Sequence, residues 1–187
     1  MRFVLIALLL NSVILSACAR EVAGVSLDEE VLLTDNVRLK LNGAGIRSKF
    51  IFDIYVGALY VAQPKLTTEQ QVYSDPSAKR MLMHFLYDEV SKEKLNGGWQ
   101  DGFENNLDEA TFSNVKQRLE KFKSYFETVN KGDVIYLDYL PNQGTRVTIN
   151  TIEKGVITGQ DFHQALMKVW LGEEPADWNL KQALLGQ

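Results

Sequence analysis

Residues 41–61, LNGAGIRSKFIFDIYVGALYV, join a glycine-rich beginning to a long run of aromatic and β-branched residues. The alternating residues 37–41 predict a strand, and Asn42-Gly43 predicts the turn that ends it. Residues 51–61 predict a second, largely buried strand. Arg47 would then place a guanidinium just before an apolar strand, so the question is what this charge binds.

The rest of the chain alternates between strand patterns and helix patterns. Strands are predicted over residues 79–87, 133–139, 145–152 and 155–158. Helices are predicted over residues 92–107, 109–129, 161–172 and 177–185, with a capping box at Asp161 and Gln164. Because the strands mostly form hairpins and the helices are grouped, the order favours an α+β fold, with an antiparallel sheet and helices on one face.

The N-terminus has the layout of a secretory signal peptide, in which a basic residue precedes an apolar run and then small residues. Leu15-Ser16-Ala17-Cys18 also resembles a bacterial lipobox, in which residues 1–17 are removed and Cys18 is lipidated. The alternative is cleavage after Ala19. Cys18 is the only cysteine, and lipidation would give it a use. We therefore expect an exported, periplasmic lipoprotein of a bacterium, attached to a membrane only through Cys18, with residues 20–187 forming one domain.

Composition and motifs exclude several classes of function. The 20 basic and 24 acidic residues give a net charge of −4, so no electrostatic surface for nucleic acid is expected. The sequence contains no phosphate loop, no hydrolase motif and no metal-binding cysteine pair. His84 lies within a strand pattern, where a core or sheet-face position is expected, and His163 is expected to be solvated. We therefore assign no catalytic residue, no metal site and no cofactor.

Arg47 and Tyr55 are the candidate ligand-binding residues. Arg47 alone is most simply a surface residue near a turn, but Gly43 and Gly45 would let the backbone approach another group closely. Tyr55 follows Arg47 by an even number of residues, so on an unbroken strand both side chains would face the same way. A guanidinium and a phenol beside an apolar pocket could bind a carboxylate group.

Three motifs in order resemble the chalcone isomerase-like family, especially its exported bacterial members. They are GAGIR at 43–47, IYVGALYV at 54–61, and VWLGEEP followed by L-K-x-x-L-L-G within 169–186. The resemblance spans nearly all of the mature chain. It implies an open-faced β-sandwich, in which an antiparallel sheet is backed by a helical layer and a ligand cleft lies between them.

The family contains both enzymes and binding proteins. The resemblance implies that plant chalcone isomerases guide a phenolate with an arginine corresponding to Arg47. Their other polar groups, two threonines, a tyrosine and an asparagine, fall at or near Tyr55, Leu95, Gly102 and Val169. Most of the catalytic positions therefore do not match.

The fatty-acid-binding members instead pair the arginine with a tyrosine in a strand of the form K-V-Y-x-x-G-L-Y. Here the stretch D-I-Y-V-G-A-L-Y places Tyr55 at that position. The segment between Arg47 and Tyr55 is several residues shorter than in the plant proteins. Because Tyr55 matches the binding members and most catalytic positions do not match, the resemblance favours ligand binding over catalysis.

The leading hypothesis is a non-catalytic cell-envelope domain that binds a small amphipathic or aromatic acid, such as a fatty acid, through Arg47 and Tyr55. The first alternative is an isomerase or lyase acting on a phenolic, chalcone-like substrate, so the enzyme question stays open. The second is an envelope scaffold module without a small ligand, for which an occluded or absent cleft would be the sign. Trp99 and Trp170 are expected in the core rather than lining the cleft. The oligomeric state is not predicted.

Overall fold

A computed structural model describes residues 19–33, 37–62 and 65–187. The predicted signal segment with Cys18 lies outside these described residues, as does Gln63-Pro64, where the sequence predicts the end of a strand.

The described residues form strands that mostly belong to one large sheet. The strands are β1 (Ala19–Val22), β2 (Val25–Asp28), β3 (Glu30–Leu32), β4 (Arg38–Lys49), β5 (Phe52–Val61), β6 (Lys79–Phe85), β7 (Glu89–Val90), β8 (Val129–Asn130), β9 (Val134–Leu140), β10 (Gly144–Ile149) and β11 (Ile152–Ile157). Seven of them form an antiparallel sheet in the order β11-β10-β9-β6-β5-β4-β3, and β1-β2 and β7-β8 form two separate ribbons.

The helices are grouped against this sheet. They are α1 (Glu69–Ser74), α2 (Lys92–Glu104), α3 (Glu109–Lys123), α4 (Gln160–Leu171) and α5 (Trp178–Leu184). The side chains of Ser91 and Asp108 accept hydrogen bonds from the first turns of α2 and α3, as N-cap residues do. The predicted α+β architecture, an antiparallel sheet backed by helices, is confirmed.

Alternation along the strands divides the core between the two faces of the sheet. Tyr55 and Phe85 point to the helical face, where α2 to α5 supply most of the other apolar side chains. Tyr60 and Leu82 point the other way and pack with Leu27 of the β1-β2 ribbon. The N-terminal ribbon therefore covers part of the outer face, which the sequence patterns did not predict.

The predicted turn at Asn42-Gly43 is wrong, because β4 passes through it and continues to Lys49. A β-bulge just before Gly43 accommodates the irregularity. A Cβ atom on Gly43 would lie 2.0 Å from the carbonyl oxygen of Ala183, and one on Gly45 would lie 2.6 Å from Cβ of Ala183. The glycines therefore let α5 pack directly against β4, and the group that they admit is a helix rather than a ligand.

Asn42 fixes the same packing through its buried side-chain amide. Its Nδ2 donates to the carbonyl oxygens of Leu66 and Leu184, both at 2.8 Å, and its Oδ1 accepts from the Leu66 N–H at 2.7 Å. These bonds satisfy the buried amide. They tie β4 to the end of α5 and to the segment before α1.

The turn between β4 and β5 lies instead at Phe50-Ile51, a two-residue loop that follows Lys49 and precedes its partner Phe52. Phe50 has a φ of 58°, a left-handed conformation that costs a bulky residue roughly 1–2 kcal/mol. Phe50 and Ile51 are 92% and 87% exposed. Since asparagine and glycine are preferred in such loops, neither turn propensity nor burial explains these two residues.

Three helix boundaries differ from the predictions. The helix predicted over 92–107 ends at Glu104. The helix predicted over 109–129 ends at Lys123, and Val129 is in strand β8. The predicted capping box at Asp161 is also wrong, because Gly159 occupies the N-cap position. The Asp161 carboxylate instead accepts hydrogen bonds from Arg118 on α3, one of them at 2.7 Å.

His163 is buried, whereas the sequence predicts it to be solvated. Its ring stacks on Tyr139 with centroids 4.4 Å apart, and its Nδ1 lies 3.3 Å from the Thr145 hydroxyl. Burial, with a smaller contribution from the Lys79 charge, lowers the pKa of His163 to about 3. The neutral imidazole therefore helps to pack α4 against the sheet. His84 is half-buried within β6, in agreement with the predicted sheet-face position.

Candidate binding site between the sheet and the helices

Arg47 and Tyr55 lie directly opposite each other on the paired strands β4 and β5. The sequence predicts that they face the same side because they share one strand. They do share a side, but because the Phe50-Ile51 hairpin folds the two strands together. The Arg47 Cζ atom lies 5.7 Å from the centroid of the Tyr55 ring, a cation–π arrangement. The structure therefore brings the two predicted site residues into contact.

Tyr55 is buried with its hydroxyl held in one orientation. Trp170 Nε1 donates a hydrogen bond of 2.8 Å to Tyr55 Oη, and an indole N–H can only donate. The Tyr55 hydroxyl proton is thus left available, and no acceptor for it lies among the described residues. Burial raises the pKa of Tyr55, while the nearby Arg47 charge lowers it less. Tyr55 is therefore a neutral donor at physiological pH.

Arg47 is half-buried, and in the part of the chain that the structure describes its guanidinium interacts with the Tyr55 ring and forms no hydrogen bond or ion pair. The neighbouring carboxylate of Asp177 is occupied elsewhere. It accepts from the Ser48 N–H at 3.0 Å and from the Leu180 N–H at 2.9 Å. The N–H donors of Arg47 consequently have no acceptor among residues 19–33, 37–62 and 65–187.

A small inner cavity and a larger outer cleft meet at Arg47. The inner cavity has a volume of about 70 Å³, and its lining includes Tyr55, Trp99 and Val169. The outer cleft has a volume of about 460 Å³, and its lining includes Phe52, Tyr87 and Asp101. Five residues line both spaces: Arg47, Ile54, Val90, Lys94 and Gly98.

Two tryptophans of the helical layer, Trp99 and Trp170, take part in the site. Trp170 is buried and orients Tyr55, while the buried Trp99 lines the inner cavity. The Nε1 atom of Trp99 is buried and has no hydrogen-bond partner among the described residues. A buried N–H without an acceptor is rare in folded proteins. Both tryptophans are core residues, as expected, but Trp99 also lines the inner cavity, which the expectation excluded.

Three of the four positions that correspond to the plant polar groups, Leu95, Gly102 and Val169, have no polar side chain here, and the fourth is Tyr55. Leu95 on α2 and Val169 on α4 both line the inner cavity. A Cβ atom on Gly102 would lie 2.9 Å from both methyl groups of Val169, so Gly102 allows close packing of α2 and α4. The cavity lining therefore combines Arg47, Lys94 and Tyr55 with side chains that are otherwise mostly apolar.

Comparison with known proteins assigns the chain to a family. A model described as chalcone isomerase-like matches residues 19–186. The protein belongs to the chalcone isomerase-like family. A fatty-acid binding protein of Arabidopsis thaliana has a similar structure, with a TM-score of 0.66 and 16% identity over 87% of this chain and 92% of that one. No curated protein matches the sequence.

The match confirms the resemblance that the three motifs indicate, and the structure explains why two of them occur together in this chalcone isomerase-like chain. Gly43 and Gly45 of the first motif are the surface on which Leu180, Ala183 and Leu184 of the last motif pack.

The described residues show two further negative findings. No helix within 19–33, 37–62 or 65–187 is long and apolar enough to cross a membrane. Within the same ranges, no group of three or more histidine, cysteine, aspartate or glutamate side chains is arranged to hold a metal ion.

Proposed function

We propose that this chalcone isomerase-like protein binds, and does not convert, a small amphipathic carboxylic acid, of which a fatty acid is the simplest example. One observation carries the proposal. Arg47 and Tyr55 are in contact at a largely apolar cavity, and each keeps a donor without an acceptor among the described residues. A carboxylate would accept from both, through charge-assisted hydrogen bonds.

The volumes of the inner cavity and the outer cleft favour one orientation for such a ligand. The inner cavity of about 70 Å³ has the space of about two water molecules, which suits a carboxylate group and is too small for an acyl chain. The outer cleft of about 460 Å³ is within the usual range for small-molecule sites. The carboxylate would therefore sit between Arg47 and Tyr55, and the apolar chain would run outward past Phe52, Ile54 and Tyr87.

Burying a carboxylate is costly unless its oxygens are paired. Arg47 supplies the opposite charge, and Tyr55 supplies a neutral donor from the same cavity wall. Two further observations support this proposal. The structural neighbour from Arabidopsis thaliana is described as a fatty-acid binding protein, and the cleft whose absence would indicate a scaffold module is present.

The isomerase alternative receives less support from the cavity wall. A phenolate could bind at Arg47, but Leu95 and Val169 provide no hydrogen-bonding group where plant isomerases have polar residues. Each missing donor at a developing charge is worth about 2.7–4 kcal/mol of barrier. Incubating the purified protein with a chalcone distinguishes the two functions, because rapid loss of the visible absorbance of the chalcone would show isomerase activity.

The direct test of the proposal is to identify what the protein carries. Organic extracts of natively purified protein, analysed by mass spectrometry, are expected to contain a carboxylic acid with an apolar chain in a near one-to-one ratio. An Arg47→Ala preparation is the control and should contain much less of it. Extracts of both proteins that lack any enriched acid, together with no binding of dodecanoate in a titration, would contradict the proposal.

Tyr55→Phe is expected to weaken dodecanoate binding by about tenfold, because it removes one hydrogen bond to a charged group. It should also lower stability by about 1–3 kcal/mol, since the buried Trp170 N–H loses its acceptor. Calorimetric titration and thermal unfolding measure the two effects. Tyr60→Phe is the matched control, because it removes a hydroxyl from the opposite face of the same strand. Equal affinities of Tyr55→Phe and Tyr60→Phe would exclude the hydroxyl from the site.

We also propose that the protein acts in the cell envelope as a lipoprotein. The support is the sequence pattern around Cys18. Intact-mass measurement should find acyl chains on Cys18. Cys18→Ser should move the protein from the membrane fraction to the soluble or unprocessed fraction, because its lipid attachment is lost. An unmodified wild-type protein that is cleaved after Ala19 would support the alternative, a soluble exported form.

A further inference from the structure

The end of the molecule at the mouth of the outer cleft carries most of the exposed large apolar side chains of the described residues. There are six such side chains: Leu32, Phe50, Ile51, Phe52, Ile152 and Trp178. Phe50, Ile51 and Phe52 belong to the β4-β5 hairpin, and Phe50 and Phe52 also line the outer cleft. Trp178 follows Asp177, which accepts a hydrogen bond from Ser48 in that hairpin. Four of the six therefore gather where a ligand would enter.

The hairpin tip is both strained and exposed, so its sequence does not serve folding. A left-handed φ of 58° at Phe50 is disfavoured for an aromatic residue. Exposures of 92% for Phe50 and 87% for Ile51 leave both side chains in water. Glycine or asparagine would serve the turn better. Two bulky apolar residues at this place instead suit contact with an apolar environment outside the protein.

We infer that this hairpin, residues 49–52, inserts its tip into the interfacial layer of a lipid bilayer, so that amphipathic acids pass between the bilayer and the cleft. The transfer of acids rests on the proposed function, whereas the membrane contact does not. The inference adds a direct contact to the one expected through Cys18.

The shape of the tip favours a bilayer over a second copy of the chain. Aromatic side chains bury about 150–250 Å² each, and stable protein interfaces need about 800 Å² from each partner. One fully exposed phenylalanine, one isoleucine and two half-exposed aromatic rings fall short of that area. A protruding two-residue loop needs no complementary groove in a bilayer, and tryptophan is typical of the interfacial layer.

Charged side chains around the mouth of the outer cleft could contact the headgroups of lipids. Lys49 lies at the base of the tip and, with Arg47 and Lys94, lines the outer cleft, where Glu89 and Asp101 are the acidic residues. Among the residues that line the outer cleft, which form its rim, three are cations and two are carboxylates. The further carboxylate of Asp53, next to Phe52, accepts a hydrogen bond from the Ser48 hydroxyl. The rim can thus meet headgroup phosphates while the tip enters the apolar layer below them.

The test uses the chain from Ala19 onward, which contains every described element and lacks Cys18, so that no lipid anchor contributes. The probe is a phosphatidylcholine vesicle, which has no net charge to repel an acidic protein. The variant is Phe50→Gly with Ile51→Ser, because glycine adopts a left-handed φ without strain. The hairpin is then expected to stay folded, with an unfolding midpoint at or above that of the wild type. Leu32→Ser is the matched control, since Leu32 is 58% exposed and pairs at the other end of β4.

In vesicle flotation, the wild type and Leu32→Ser are expected to bind equally, and the double variant at least tenfold more weakly. The fluorescence of the wild type should shift to shorter wavelength as Trp178 leaves water. Absent wild-type binding, or equal binding of the double variant, overturns the inference. So does a wild-type dimer in solution that the double variant loses, because the tip would then cover a second copy. A wild type that binds dodecanoate but does not float with vesicles refutes the membrane contact alone. A wild type that floats but does not bind dodecanoate refutes the proposed ligand alone.

Discussion

Replacing Arg47 by alanine is expected to weaken dodecanoate binding by about 10- to 100-fold, while the midpoint of thermal unfolding stays within a few degrees of the wild type. Hydrogen bonds to charged groups contribute about 1.5–3 kcal/mol, and each 1.4 kcal/mol changes affinity about tenfold. Arg47 makes no ion pair among the described residues, and its recorded contact is with the Tyr55 ring. The loss should therefore appear in affinity and hardly in stability.

Calorimetric titration of dodecanoate at constant salt measures this effect, with two variants to separate its causes. Arg47→Lys keeps the charge but loses the planar pair of donors, so an intermediate affinity is expected. Lys49→Ala removes a cation that lines the outer cleft and not the inner cavity, and it should change affinity by less than about threefold, because exposed charges are well screened. An equal loss in Lys49→Ala and Arg47→Ala would show that general attraction, not a bound carboxylate, explains the binding.

Local patterns in the sequence were sufficient for most of the fold. Alternation over residues 79–87 predicts β6, and the apolar stripe that begins at Phe112 predicts α3. These patterns succeed because each element presents one apolar face to a common core. They fail at Asn42-Gly43. The local residues favour a turn there, but packing against α5, about 140 residues further along the chain, keeps this segment in strand β4. No local pattern contains that partner.

The candidate site was predictable only as far as its residue types. Arg47 and Tyr55 were found from glycine context, an even spacing and the family resemblance, although the spacing argument assumed one strand where the structure has two. The hydrogen bond from Trp170 was not predictable, because helical periodicity identifies Trp170 only as an apolar residue and gives no information about its N–H group. That N–H meets a tyrosine 115 residues away in sequence. Polar atoms within apolar side chains become visible only in three dimensions.

Gly43→Ala is expected to destabilise the protein by about 3 kcal/mol or more, at the upper end of the cost of overpacking. The added Cβ would lie 2.0 Å from the carbonyl oxygen of Ala183 and 2.7 Å from that of Leu184. Both atoms belong to the backbone, so no side chain can turn aside to make room. For a chain of this size, such a loss lowers the midpoint of thermal unfolding by roughly 6–12 °C.

Gly97→Ala is the matched control, because nothing lies within 4 Å of a Cβ atom at that position in α2. Alanine there should raise stability by about 0.5–1 kcal/mol, since glycine is a poor helix former. The two substitutions add the same methyl group and should act in opposite directions. In Gly43→Ala the affinity for dodecanoate should fall as well, because a displaced α5 would carry Asp177 and its hydrogen bond to Ser48 away from Arg47. If Gly43→Ala unfolds at the wild-type midpoint, α5 does not pack tightly on β4, and the two family motifs need another reason to occur together.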